Sequence, residues 1–329
     1  MSSAAAVARW IAPFLAVAAV AVVGSAAGPA PGPVTLLADE GNPLAGVTFY
    51  VNPNSAAMRA AQSADPPSPQ LTAIANTPQA YWMDQLSTPA VDAKYIATAQ
   101  AAGTVPILAL YGIPHRDCGS FAAGGFGSGA AYRGWIDTVA ADIGGGPAAI
   151  ILEPDALAMA DCLSPDQRQE RYDLISYAVD TLTRNPASTV YVDAGHSRWV
   201  SADTMAARLN QVGVQRARGF SVNTANFFTT DEEVGYAEAI SGLTNGAHYV
   251  VDTSRNGAGP APDDPLSWCN PTGRALGTAP TTATASPNAD AYLWVKRPGE
   301  SDGSCGRGEP GAGRFINSYA IDLARNAGQ

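Results

Sequence analysis

From residue 45 onward the chain alternates between short runs rich in β-branched or aromatic residues and longer stretches with helical period. Candidate strands lie at residues 47–51, 80–82, 105–111, 149–152, 189–192, 219–222, 248–251 and 292–295. Several are apolar on both faces, as in Val105-Pro106-Ile107-Leu108-Ala109-Leu110. A strand with one wet face would alternate, so these runs read as parallel strands buried on both sides. Between them, Ser164-Pro165 with Gln167 offers an N-cap, a proline at the first helical position and a capping-box partner. Tyr172, Ile175, Val179 and Leu182 then recur on one face. Thr230 with Glu233 suggests a second capping box, and Phe315, Tyr319 and Leu323 supply the apolar stripe of a final helix that begins near Arg314. Roughly eight strand–helix units without an internal break predict an α/β fold, a parallel β/α barrel or a close relative, in a single domain.

The N-terminal pattern is different. A polar start carrying Arg9 is followed by an apolar run from Trp10 to Val23 and by Ser25-Ala26-Ala27, which are the n-region, h-region and small-residue cleavage site of a secretory signal over residues 1–27. The apolar run falls short of the roughly 20 residues a membrane span needs. An uncleaved anchor that retains the protein at the cell envelope is the alternative, and either one exports the remainder. Residues 28–44, rich in Ala, Gly and Pro, read as a short tether ahead of a folded domain at 45–329.

Charge and cysteine content narrow the function. Nineteen Lys and Arg against 29 Asp and Glu give a net charge of −10, which argues against nucleic acid and anionic membrane surfaces, because binding to phosphates rests on Lys and Arg displacing counterions. No integral membrane partner is expected, and a monomer suffices. Cys118, Cys162, Cys269 and Cys305 suit an oxidising compartment, with two structural bridges expected and three pairings open. The sequential pairing closes loops of moderate size, each worth about 4 kcal/mol in the chain-entropy model. No C-x-x-C is present and His115, His196 and His248 form no cluster, so a zinc site has little support. Gly195-His196-Ser197-Arg198-Trp199 lacks the closing glycine of a nucleophile elbow, and the glycine-rich stretch 125–130 does not directly follow a strand, so it reads as a loop near the rim.

In barrels of this kind the active site lies at the C-terminal ends of the strands. Here those ends read Trp82-Met83-Asp84, Arg116-Asp117-Cys118, Glu153-Pro154-Asp155, Asp193-Ala194-Gly195-His196, Asn223-Thr224-Ala225-Asn226, Asp252-Thr253-Ser254-Arg255 and Lys296 through Asp302. One Asp after a strand is often only a helix cap. A whole rim of carboxylates interleaved with Trp, Lys and Arg instead suits glycoside hydrolysis, which needs a protonated carboxyl group for the leaving oxygen and, in many families, a second carboxylate opposite it. Trp82, Trp199 and Trp268 could stack on sugar faces.

The segments Tyr111-Gly112-Ile113-Pro114-His115-Arg116-Asp117-Cys118-Gly119 and Ile151-Leu152-Glu153-Pro154-Asp155-Ala156-Leu157-Ala158 resemble the two signatures of family 6 glycoside hydrolases, the cellulases. Tyr191 through His196, Trp268-Cys269-Asn270 and Leu293 through Gly303 match further family blocks in the same order, so the resemblance spans about residues 45–328. It implies a distorted, incomplete barrel of about seven strands and inverting hydrolysis of β-1,4-glucan without metal or cofactor. By motif position Asp155 would be the general acid and Asp117 the carboxylate that raises its pKa, with Cys118 bridged to Cys162 in the family's pairing. Asp302 would be the base or a substrate-binding group at the cleavage point, and Asp193 a supporting carboxylate. Tyr111 would contact the sugar at the reacting site. Trp82, Asp84, His196, Trp199, Asn223, Asn226, Trp268, Lys296 and Glu300 would line the subsites, and Arg255 would orient a carboxylate. One departure stands out: many relatives carry a serine six residues after the Arg-Asp-Cys aspartate, on a mobile loop thought to help place the catalytic water, whereas this chain has Ala123.

Exo-acting members roof the cleft with a long loop near the C-terminus. The glycine-rich stretch between Asp302 and the final helix is too short to build one, so internal cleavage by an endoglucanase is expected. The alternatives are an exo-acting cellobiohydrolase of the same family and a secreted glycan-binding protein that lost catalysis. All four carboxylates are present, which speaks against the last.

Overall fold

A computed structural model of the chain describes Met1, residues 41–262 and residues 266–329; the expected signal and most of the tether lie outside the described residues. Among the described residues seven strands form one parallel sheet in sequence order: β1 (Tyr81–Met83), β2 (Ile107–Leu110), β3 (Ala148–Leu152), β4 (Ser188–Asp193), β5 (Gly219–Val222), β6 (His248–Asp252) and β7 (Ala289–Leu293). Helices α1 (Ala56–Ser63) and α2 (Pro69–Ala75) precede the sheet. Crossovers then run through α3 (Pro89–Ala101), α4 (Gly129–Ile143), α5 (Pro165–Leu182), α6 (Ala202–Val212) and α7 (Thr230–Leu243), and α8 (Asn317–Asn326) closes the fold.

The two-sided apolar pattern has a direct structural cause. Leu108, Leu110, Ile150, Leu152, Val190, Val192, Phe220 and Val222 share one buried cluster with helical residues such as Ile136, Val139, Ile175, Val179, Leu209 and Ile240. The alternate strand residues, among them Ile107, Ala109, Ala149, Ile151, Tyr191, Val250, Ala291 and Leu293, form a second cluster on the other face. A face that buries its own side chains without helices must curl upon itself. Closure stops short of a ladder: β1 and β7 are not paired, yet the Ala80 N–H donates to the Trp294 carbonyl at 2.9 Å and the Trp82 indole to the Val295 carbonyl at 2.8 Å. The result is the distorted, incomplete α/β barrel that the resemblance implied.

Several local expectations need correction. Residues 47–51 contribute a single bridge, Phe49 to Val105, rather than an eighth strand. The last strand runs Ala289–Leu293, starting earlier and stopping two residues short of the expected 292–295, because the carbonyls of Trp294 and Val295 turn to Ala80 and Trp82. Thr229, not Thr230, caps α7, accepting from the Glu232 N–H at 3.4 Å, and Glu233 bonds elsewhere. Phe315 precedes α8. The folded body also reaches into the expected tether: Leu44 is buried and the Asn42 amide donates to the Asp290 carbonyl at 2.7 Å. The Ser164 capping box forms as read. The disulfides are the sequential pair, Cys118–Cys162 and Cys269–Cys305.

Candidate active site

Where a parallel strand ends, its neighbours' N–H groups lose their ladder partners and need acceptors. Carboxylates supply them here. Glu153, just after β3, accepts from Gly112 N at 3.1 Å and Ile113 N at 3.0 Å beyond β2. Asp193, ending β4, takes Asp155 N at 2.9 Å and Gly195 N at 3.0 Å on Oδ1, and the Ser221 hydroxyl at 3.0 Å on Oδ2. Asp252, ending β6, accepts from Ala225, Ser254 and Lys296 N–H groups, each at 2.9 Å. Each buried acid therefore ties its strand end to adjacent segments. Glu153 and Asp252 stand among the strand-end carboxylates of the sequence, which gives them no individual role; their part in tying the strand ends together comes from the fold.

The same turns bend sharply. Asp117, Cys118, Glu153, Asp155, Asn223 and Ala225 all take positive φ, between 48° and 69°. Such conformations are uncommon for non-glycine residues and cluster at functional sites. Two buried arginines brace the segments that carry the acids. Arg171 donates to the carbonyls of Ala156 at 3.1 Å and His115 at 2.8 Å, while Arg208 donates to Leu157 O and pairs with Asp161 at 2.6 Å.

Asp155 is half-buried with its neighbours arranged against ionisation. Burial and then the negative charges of Asp193 and Asp117 push its carboxyl up to about 8, offset in part by Tyr111 and Lys296. Burial raises Asp193 to about 6, and also raises Asp117, whose Oδ2 accepts from Ala122 N at 2.6 Å. Asp302 is the opposite case. Arg255 Nη1 reaches its Oδ2 at 2.8 Å and Lys296 Nζ its Oδ1 at 3.0 Å, and these cations hold the carboxyl below its usual value despite burial. The Arg255 guanidinium also lies over the Phe227 ring at 4.3 Å.

The aromatic groups divide into three sets. Trp82 meets Tyr111 edge to face at 5.4 Å, and Arg116 lies 4.3 Å over the Tyr111 ring while bonding Asp84 at 3.4 Å. His196 lies between Trp199 and Phe228, at 5.2 and 4.4 Å, and burial pushes its imidazole down to about 4, so it is neutral at pH 7. Trp268 is 36% exposed, at 5.6 Å from Phe121. Three proposed subsite residues have their polar groups engaged by the protein. The Asn223 amide bonds to the backbone of Phe228 and Asp252, Asn226 Nδ2 donates to Thr224 O at 3.3 Å, and buried Glu300 pairs with Arg297 at 2.7 Å. Among the described residues no group of His, Cys, Asp and Glu is arranged to hold a metal ion.

A carboxyl kept protonated and another kept ionised on one aromatic-lined rim is what acid–base cleavage of a glycosidic bond calls for. The model of the glycosyl hydrolases family 6 matches residues 44–327, and the chain belongs to that family. Endoglucanase A of Cellulomonas fimi is 46% identical over 285 residues, which make up 85% of this chain and 61% of that protein. Endoglucanase 1 of Streptomyces halstedii is 40% identical over 288 residues, 84% of this chain and 88% of that protein. A solved structure of the endoglucanase Cel6 from Mycobacterium tuberculosis, in complex with methyl-cellobiosyl-4-deoxy-4-thio-β-D-cellobioside, is 73% identical. It covers 88% of this chain and 100% of that one, with a TM-score of 0.86. The chain spans about three fifths of the length of the Cellulomonas protein.

Proposed function

We propose that this chain is an endo-β-1,4-glucanase that cleaves internal bonds of cellulose-type glucans with inversion at the anomeric carbon. The observation that carries the reading is Asp155, whose carboxyl is held up to about 8 by burial and two neighbouring acids and so keeps its proton at pH 7. Asp155 donates that proton to the leaving glycosidic oxygen as the C–O bond breaks, while Tyr111 borders the reacting sugar. A water on the opposite face of the sugar forms the new bond to the anomeric carbon and releases its own proton to solvent. Asp117 and Asp193 retain the proton on Asp155 until transfer, since their charges oppose its loss. Asp302 stays ionised, but a carboxylate gripped by two cations has low proton affinity. Brønsted behaviour makes it a weak base, so its fitting role is to hold substrate and meet positive charge developing at the cleavage point. Trp82, Trp199 and Trp268 offer stacking faces to the glucan on either side.

Internal rather than terminal attack is supported by the chain after Asp302. It turns back at once, with Ser301 N bonding Arg314 O and Gly313 N bonding Ser301 O, both at 2.9 Å, and Cys305 tied to Cys269. That leaves no length for a roof. Export through the N-terminal signal is part of the same proposal. The test is the viscosity of a soluble β-1,4-glucan followed against new reducing ends. A steep viscosity drop with few new ends is expected; new ends with little viscosity change would mean exo action. Binding without either would mean a glycan-binding protein.

A further inference from the structure

The segment carrying His196 and Trp199 is held from two directions. At its start, Asp193 Oδ1 accepts from Gly195 N at 3.0 Å and Asn223 N donates to Gly195 O at 2.7 Å. Its far part is held by α7. Glu233 accepts from Ser197 N at 3.0 Å, and Glu232 accepts the Ser197 hydroxyl at 2.8 Å. Glu232 also takes Arg198 in a two-point pair at 2.7 and 2.9 Å, and the Tyr236 hydroxyl donates to Val200 O at 2.8 Å. Arg198 then lies 5.0 Å over the Phe228 ring, which supports His196 from the other side.

Glu233 is a costly way to fill that space. It is fully buried, and its second carboxylate oxygen has no hydrogen-bond partner. Packing alone would be served better by an apolar side chain, because a buried polar atom without a partner keeps its full desolvation cost. What an apolar side chain could not do is fix Ser197 N, and through it the angle of the residues on either side.

We infer that Glu232 and Glu233 are positioning residues that hold the His196–Trp199 face in register for glucan, and so set how tightly the chain binds sugar beside the cleavage point. The inference rests on the reading that this face stacks on substrate. Because the α7 bonds to the segment are made to Ser197, Arg198 and Val200 and none to Asp193 or Asp155, loosening them weakens binding and leaves the chemical step largely intact.

The experiment compares Glu233→Leu, Glu233→Gln, Trp199→Ala and the Glu233→Leu/Trp199→Ala double variant, using soluble cello-oligosaccharides and thermal melts. Glu233→Leu fills the same volume without an acceptor and is expected to raise KM about five- to tenfold with kcat within about twofold, the sign of lost uniform binding. Glu233→Gln keeps an acceptor oxygen and is expected to restore KM. The double variant should be no worse than Trp199→Ala alone, since both changes remove one platform. If Glu233→Leu melts as the parent does and its KM is unchanged while Trp199→Ala raises KM, the positioning role is wrong. Equal KM effects from Leu and Gln would also overturn it. If Trp199→Ala leaves KM unchanged, the stacking face itself is wrong and the inference falls with it.

Discussion

Replacing Asp155 by Asn should make the protein more stable and do so in proportion to pH. The folded carboxyl sits at about 8 and its ordinary value is 3.8. A carboxyl raised on folding is deprotonated first in the unfolded chain, so the parent loses stability as pH climbs from about 4 to about 8, at about 1.4 kcal/mol per pH unit. At pH 7 the penalty reaches about 4 kcal/mol by that slope. Asn retains a desolvated amide at the same place, which returns part of the cost. The net gain expected is therefore about 1–4 kcal/mol at pH 7, a rise of roughly 2–8 °C in Tm for a domain of this size. Glu153 and Glu233, both pushed up to about 7 by burial, also shape the parent's pH curve. They cancel when variant and parent are compared. Calorimetry of both proteins from pH 4 to pH 9 measures the difference, which should be at or below zero at the acid end, where only the amide's cost remains, grow through neutrality and level off above about pH 8. A difference that is constant with pH, or an Asn variant less stable than the parent at pH 8, would refute the placement of a protonated carboxyl at Asp155.

Other consequences follow from the same geometry. Because Asp155 must carry its proton, kcat should fall about tenfold per pH unit above about 8, and a flat alkaline limb to pH 9.5 would count against it as the acid. Arg255→Met leaves buried Asp302 with the Lys296 cation and the Asn270 N–H and should cost about 3–5 kcal/mol in denaturant unfolding, whereas a loss below about 1 kcal/mol would show that Arg255 is dispensable. Removing the bridge with Cys269→Ala and Cys305→Ala, 36 residues apart, should cost about 2–4 kcal/mol and lower Tm; an unchanged melt would indicate that the residues around Trp268 are held by other contacts. Ala123→Ser should not reduce turnover on soluble glucan, and a large fall in kcat would show that this loop serves a different purpose here.

Much of this was legible along the chain. A strand apolar on both faces can be satisfied only between two layers, so runs such as 107–110 and 149–152 determined a parallel sheet with an inner and an outer core. The Ser164 box, the strand-end carboxylates and the Asp117 and Asp155 motifs are local patterns, readable because the residues concerned are close in sequence. The tertiary structure decided what depends on distant partners. The range 47–51 has strand composition but finds one bridge at Phe49, since the sheet's closing contacts are made by Ala80 and Trp82 with the end of β7. Asn223 has the residue type of a sugar ligand, yet its amide is consumed by backbone at 228 and 252. Asp155 and Asp302 are both aspartates after strands; the motif resemblance assigns them different roles, but the physical cause of the difference is not local. One lies beside two acids and the other between Arg255 and Lys296. Their opposite proton affinities come from Coulomb terms that fall with distance through space, which the order of residues does not encode.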